Sequence, residues 1–198
     1  MDLFASHDTL TPIPLREGEL ALLGQLAFGL DNATLLARLI DETPWREETI
    51  TLWGKSHRQP RLCAWRGDAR YRYSGLTLAP TPMSALEREL QAAAEAVTGR
   101  RFNSLLLNYY RDERDSMGMH CDDEPELGIE PAIASLSFGA TRTLIVEHKR
   151  SGERLKLALT DGSLLLMSGA MQANWRHGIN KERGPLGPRV NLTFRFIA

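Results

Sequence analysis

Beyond Gly99 the hydrophobic period of the chain changes from helical to extended and stays extended to its end. Short runs at Ser104 to Tyr110, Met117 to Asp122, Ala132 to Phe138, Thr143 to His148, Leu155 to Thr160, Ser163 to Ser168, Asn174 to Ile179 and Arg189 to Ile197 are separated by Gly, Asp and Pro. A helical pattern precedes them from Thr81 to Gly99, with Pro82 early, a capping box of Ser84 with Glu87, apolar Leu86, Leu90, Ala93, Ala94 and Val97, and Gly99 as the stop. A shorter helix is capped by Asp31 or Asn32, repeats Leu35, Leu36, Leu39 and Ile40, and ends at Pro44. Many short strands after two helices predict an α+β, mainly β fold: a double-stranded β-helix, or jelly roll, backed by N-terminal helices.

At 198 residues, 42% hydrophobic and 25% charged, the chain suits one domain with a sizeable core. Its expected divisions are an N-terminal arm and helix (1–48), an excursion of short β-rich runs (49–80), a support helix (81–99) and the jelly-roll core (100–198). Met1 to Gly18, with Pro12 and Pro14, reads as a loosely ordered arm. The start MDLFASHD has no basic segment followed by an apolar one, and no apolar run approaches a bilayer span, so a cytoplasmic protein is expected. Cys63 and Cys121 make neither a disulfide framework nor a CxxC pair, which argues against a cysteine-rich zinc site. The net charge of −1 hides an uneven distribution. Between Lys55 and Arg72, six basic residues (Lys55, Arg58, Arg61, Arg66, Arg70, Arg72) face the single acid Asp68, a local +5 that can track phosphates or serve as a solvated face.

The first chemical signal is the step from His120 to Asp122 in MHCDDE. Residues two apart in a strand project to one side, so an imidazole and a carboxylate can grip one ion while Cys121 points away. With a distant second His this is the facial triad of non-haem Fe(II), although Zn(II) also accepts such donors. His177, beside Gly178, is the best third ligand, though a lone strand His is more often a hydrogen-bonded core residue. The last strand shifts that balance. In RVNLTFRF, Arg189, Asn191, Thr193 and Arg195 share one face. On a solvated sheet this would be unremarkable; inside a barrel two buried guanidinium groups demand anions, and a dicarboxylate co-substrate supplies them. Asn108 and Tyr110, also two apart, add an amide and a phenol. In TITLWG, Trp53 sits near a hairpin tip, and Tyr71 and Tyr73 share a face that suits a flat base as well as core packing.

Together with the segments PRLCAWRGD, YRYSGL, FNSLLLN, IASLSFGATR and GSLLLMSG, these residues resemble the AlkB family of Fe(II)- and 2-oxoglutarate-dependent nucleic-acid dealkylases. The resemblance runs from about Trp53 to the C terminus, and looks closest to the branch with the duplex-preferring vertebrate homologue. It implies a catalytic Fe(II) centre of His120, Asp122 and His177, with O2 and 2-oxoglutarate as co-substrates. Asn108, Tyr110, Arg189, Asn191, Thr193 and Arg195 would hold 2-oxoglutarate, Arg195 on its distal carboxylate. The implied reaction is oxidative demethylation of 1-methyladenine and 3-methylcytosine in DNA, releasing formaldehyde and succinate. Residues 49–80 would be a nucleotide-recognition lid, with Trp53, Gly54 and Lys55 in a DNA-probing hairpin, Tyr71, Arg72 and Tyr73 at the lesion pocket, and Asp123 and Glu124 on its polar edge. Arg66 stands where the family commonly has an aromatic residue. Alkylated DNA, or RNA, is the expected partner of a monomer with no membrane role. The same chemistry on RNA or a small molecule, and a nucleic-acid-binding module with a non-catalytic metal site, are the alternatives.

Overall fold

Both helix starts form as their capping residues predict. Asp31 accepts from Thr34 N at 2.9 Å to open α1 (Asn32–Glu42), and Ser84 opens α2 (Ala85–Thr98) with both capping-box bonds in place. Gly99 ends α2 in the left-handed region, φ 63°, where a side chain would be strained. The computed structural model describes residues 9–52, 55–67, 71–73, 76–78 and 81–198. Among them no helix is long and apolar enough to cross a membrane.

The strands are β1 (Thr11–Ile13), β2 (Glu19–Leu23), β3 (Arg46–Leu52), β4 (Lys55–Gly67), β5 (Tyr71–Tyr73), β6 (Leu76–Leu78), β7 (Ser104–Tyr110), β8 (Met117–His120), β9 (Ile133–Gly139), β10 (Arg142–His148), β11 (Arg154–Leu159), β12 (Leu164–Ser168), β13 (Trp175–Ile179) and β14 (Arg189–Arg195), with a short helix α3 (Met171–Asn174) before β13. An eight-stranded antiparallel sheet has the order β1-β2-β12-β9-β14-β7-β4-β3, and a four-stranded one β11-β10-β13-β8. Alternation sorts the large sheet's two faces. Leu105, Leu107, Leu136, Phe138, Val190, Leu192 and Phe194 pack with Leu35 and Leu39 of α1 and Leu86 and Leu90 of α2. Leu106, Ile133 and Leu165 point the other way, onto Leu144, Val146 and Trp175 of the small sheet. Each such burial contributes about 1.5–3 kcal/mol for a Leu- or Phe-sized side chain.

The expected jelly-roll barrel is corrected by this topology: two open antiparallel sheets lie face to face, and neither closes on itself. The N-terminal half adds β1 to β4 to the large sheet, making it twice as wide as its partner, so the sheet edges do not meet in a ladder. The described part of the arm, from residue 9, is also more ordered than expected. Thr11–Ile13 pairs with β2 as an edge strand, where the missing N–H of Pro12 is tolerated. Arg16 O accepts from Trp175 Nε1 at 2.8 Å and Glu17 accepts from the buried His148 Nε2 at 2.9 Å. The basic stripe divides as well. Arg61 and Arg66 are 4% and 7% exposed on opposite faces of β4, so neither belongs to a solvated cationic surface.

Arg66 Nε donates to Glu87 at 3.0 Å, and the same carboxylate accepts from Ser84 N at 2.7 Å. Glu87 thus closes the capping box and neutralises a buried guanidinium. Replacing it with Ala is expected to cost about 3–5 kcal/mol, the usual effect of stranding one partner of a buried pair. A urea midpoint unchanged in Glu87→Ala would show that the pair carries no stability.

Candidate active site

The metal-ligand candidates meet between the sheets because β8 and β13 pair in a register that sets His120 directly opposite His177. Their rings lie 4.3 Å apart between centroids. The ladder slips between His177 and Ile179, a bulge of the kind that re-aims side chains beside active sites. Gly178 lets the strands approach: a Cβ there would sit 2.9 Å from Met117 O and 3.0 Å from Met119 Sδ. The expected strand from Met117 to Asp122 stops at His120, so Asp122 reaches the site from the segment beyond β8. His120 Nε2 is 4.0 Å from Asp122 Oδ1, His177 Nε2 is 3.8 Å from Asp122 Oδ2, and all the ligating atoms lie within 4.8 Å of one another.

Protonation suits a cation. His120 Nδ1 lies 2.9 Å from Gly118 O; a carbonyl only accepts, so Nδ1 carries the proton and Nε2 keeps its lone pair. Burial pushes the His177 imidazole down to about 3 and moves His120 in the same direction, so both are neutral at pH 7. Burial pushes the Asp122 carboxyl up, but Arg195 and the two imidazoles outweigh it and bring it to about 2. Asp122 Oδ1 accepts from Arg195 Nη2 at 2.7 Å, whereas Oδ2 is buried with no hydrogen-bond partner among the described residues. Two neutral nitrogens and a charged, unsatisfied oxygen are the donor set that a divalent metal completes.

The triad opens on a small cavity also lined by Tyr110, Arg189, Asn191, Thr193 and Arg195. Arg189 is 1% exposed; its Nη2 donates to Ser137 Oγ at 3.0 Å, while Nε and Nη1 find no partner among the described residues. Burial pushes its pKa down from the usual arginine value. The Arg142 and Arg189 guanidinium carbons lie 5.3 and 5.0 Å from the centroid of the Tyr110 ring. A buried cation in this setting fits an anionic ligand.

The profile of the "2OG-Fe(II) oxygenase superfamily" matches residues 30–195. The chain belongs to this superfamily. Membership brings the use of Fe(II) and 2-oxoglutarate, and the donor set and the buried Arg189 fit that pair. The human alpha-ketoglutarate-dependent dioxygenase alkB homolog 3 is 46% identical over 173 residues, 82% of this chain and 60% of that protein. Human DNA oxidative demethylase ALKBH2 is 40% identical over 158 residues, 75% of this chain and 60% of that protein. The chain therefore spans about 60% of the length of these curated relatives. The match to homolog 3 is longer and closer than that to ALKBH2, which corrects the expected branch while keeping the AlkB resemblance. The solved structure of OsALKBH1 superposes with a TM-score of 0.64 at 19% identity, covering 92% of this chain and all of that one, a likeness of fold.

The expected co-substrate and substrate residues occupy several distinct positions in the structure. Arg195, expected on a distal carboxylate, donates to the metal-ligand candidate Asp122, and Arg189, on the same strand face, keeps two donors without a hydrogen-bond partner among the described residues. Asn108 is buried, but outside the cavity lining; its Oδ1 accepts from Arg61 Nε at 2.7 Å. Asn191 Nδ2 donates to Ser135 Oγ at 2.8 Å and Thr193 Oγ1 donates to Asn191 Oδ1 at 3.0 Å, so these side chains brace one another. Asp123 is exposed, with Lys149 at 3.8 Å, and Glu124 is half-buried, both at the exit of β8 and outside the cavity lining. Trp53 and Gly54 lie outside the described residues; Lys55 begins β4, and Tyr71, Arg72 and Tyr73 form β5, paired with β6. Ser135 and Ser137 were missed by the sequence reading. Their signal was present in IASLSFG, two hydroxyls on one face of an otherwise apolar strand, opposite Thr193 and Asn191.

Proposed function

We propose that this chain is a dioxygenase that demethylates alkylated nucleic acid, with 1-methyladenine and 3-methylcytosine in DNA as substrates. The observation that carries the reading is the pairing, in one cavity, of a three-ligand cluster with an unsatisfied carboxylate oxygen and a buried arginine with unsatisfied donors. His120, Asp122 and His177 hold Fe(II). Arg189 takes the distal carboxylate of 2-oxoglutarate, with Tyr110 against its guanidinium and Thr193 nearby on the same strand face. Arg195 fixes the orientation of Asp122. When bound, Fe(II) supplies the oxidation that couples decarboxylation of 2-oxoglutarate by O2 to hydroxylation of the N-methyl group, yielding succinate, carbon dioxide, formaldehyde and the unmodified base. No side chain acts as a nucleophile.

Relatives named alkB homolog 3 and DNA oxidative demethylase support a nucleic-acid substrate. The target base leaves its stack to reach the buried centre, at a cost of a few kcal/mol that is smaller where the lesion already breaks pairing. Purified protein with Fe(II), 2-oxoglutarate and methylated oligonucleotides is expected to release formaldehyde and restore the base. Absence of both products under air, across single- and double-stranded DNA and RNA, would overturn the proposal. Succinate release with a small molecule instead, unaffected by Trp53→Ala or Tyr73→Ala, would transfer the chemistry to that substrate.

A further inference from the structure

We infer that Gln172 is a positioning residue of the metal centre, its side-chain carbonyl holding the main chain of Asp122 in register with His177. The inference rests on reading His120, Asp122 and His177 as the metal ligands. His120 and His177 are locked together by the β8–β13 ladder, but β8 ends at His120. Asp122 therefore lacks the ladder that would fix its backbone. Its N–H donates instead to Gln172 Oε1 at 3.0 Å. Gln172 is 2% exposed and lies on α3, five residues before His177 on the element that runs directly into β13.

Gln172 is itself anchored. Its Nε2 lies 3.8 Å from Met167 Sδ, and its own carbonyl accepts from Lys149 Nζ at 2.8 Å. The result is a closed loop of constraints: His120 to His177 through the ladder, His177 to Gln172 through the chain, and Gln172 to Asp122 through one hydrogen bond. Arg195 orients the carboxylate from its far side but does not fix the backbone that carries it. Partners that orient metal ligands in this way typically change metal affinity 10- to 100-fold when lost.

The test measures binding of Co(II) alone, in anaerobic buffer, by titration and by its visible ligand-field spectrum, at a temperature where circular dichroism shows each variant folded. Gln172→Met, which keeps the length and loses the strong acceptor, is expected to weaken Co(II) binding about 10- to 100-fold and to alter the spectrum. Gln172→Glu, which keeps an acceptor oxygen at the same reach, is expected to retain most of the affinity. Unchanged binding in Gln172→Met, or equal losses in both variants, overturns the inference. Hydrogen exchange at the Asp122 amide of the metal-free parent is a check that needs no variant: protection is expected, and exchange at the rate of an open loop overturns it. If the parent binds Co(II) no better than His120→Ala, the proposed metal centre itself fails, a result distinct from failure of the Gln172 role.

Discussion

Asp122→Ala is expected to abolish succinate formation and to destabilise the metal-free protein in the same step. The first effect follows from losing the one anionic ligand of the triad, since two neutral imidazoles make a weak site for Fe(II). The second follows from the partner left behind. Arg195 is 1% exposed and donates to Asp122 at 2.7 Å, so removing the carboxylate takes the anion from a buried ion pair, at about 3–5 kcal/mol. His177→Ala separates the two effects: it also abolishes turnover, but leaves Asp122 and Arg195 paired. The pH dependence separates them further. His177 takes up a proton at about 3 when folded against 6.5 ordinarily, so the unfolded chain binds more protons and stability falls as pH drops from 6.5 toward 3. Asp122, at about 2 against 3.8, adds a loss as pH drops below about 4. In urea titrations at pH 7 and pH 5, His177→Ala should therefore show a smaller drop in midpoint than the parent, and Asp122→Ala a drop like the parent's. Equal pH 7 stability of Asp122→Ala and the parent would mean that the Arg195 pair contributes nothing.

How much of this was legible in the sequence depends on the range of the interaction. Period-two alternation placed Arg189, Asn191, Thr193 and Arg195 on one buried face, and the capping residues fixed both long helices, because these are local rules. Alternation also sends Arg61 toward Asn108 and Arg66 toward Glu87, yet a count of charges along the chain cannot separate two faces of one strand. His120 and Asp122 are close for a reason that local spacing did not contain. The strand ends between them, and Gln172 and Arg195, 50 and 73 residues away, hold Asp122 in place. Closure of the sheets was illegible for the same reason. Strand runs show that residues are extended but not which sheet they join: β3 and β4 overlap the β-rich runs read as an excursion, and β1 lies in an arm with two prolines, yet all three extend the large sheet. That Arg195, rather than Arg189, donates to Asp122 is likewise a matter of three-dimensional register.

The buried donors of Arg189 carry the second large prediction. Arg189→Met should raise the concentration of 2-oxoglutarate needed for half-maximal turnover and stabilise the ligand-free protein. Removing a buried charge that pairs with a bound carboxylate costs about 2–5 kcal/mol of binding, roughly 30- to 4,000-fold. In the ligand-free protein the balance has the opposite sign. Among the described residues, Nε and Nη1 of Arg189 are buried without hydrogen-bond partners, and its contacts include one bond to Ser137 and the Tyr110 ring. Methionine fills a similar length with a flexible apolar chain, and exchanging poorly matched buried charge for apolar packing is neutral to stabilising by about 1–4 kcal/mol. Urea midpoints give both signs in one experiment. Without 2-oxoglutarate the variant should unfold at the same or higher urea than the parent; with the co-substrate in excess the parent should gain stability by mass action and the variant should not. A lower midpoint for Arg189→Met in the ligand-free state would mean that Arg189 is structurally satisfied, and its unmatched donors would then give no reason to place a carboxylate there. The expected result makes the co-substrate site a place where the fold gives up stability to keep a charge waiting for its counter-ion.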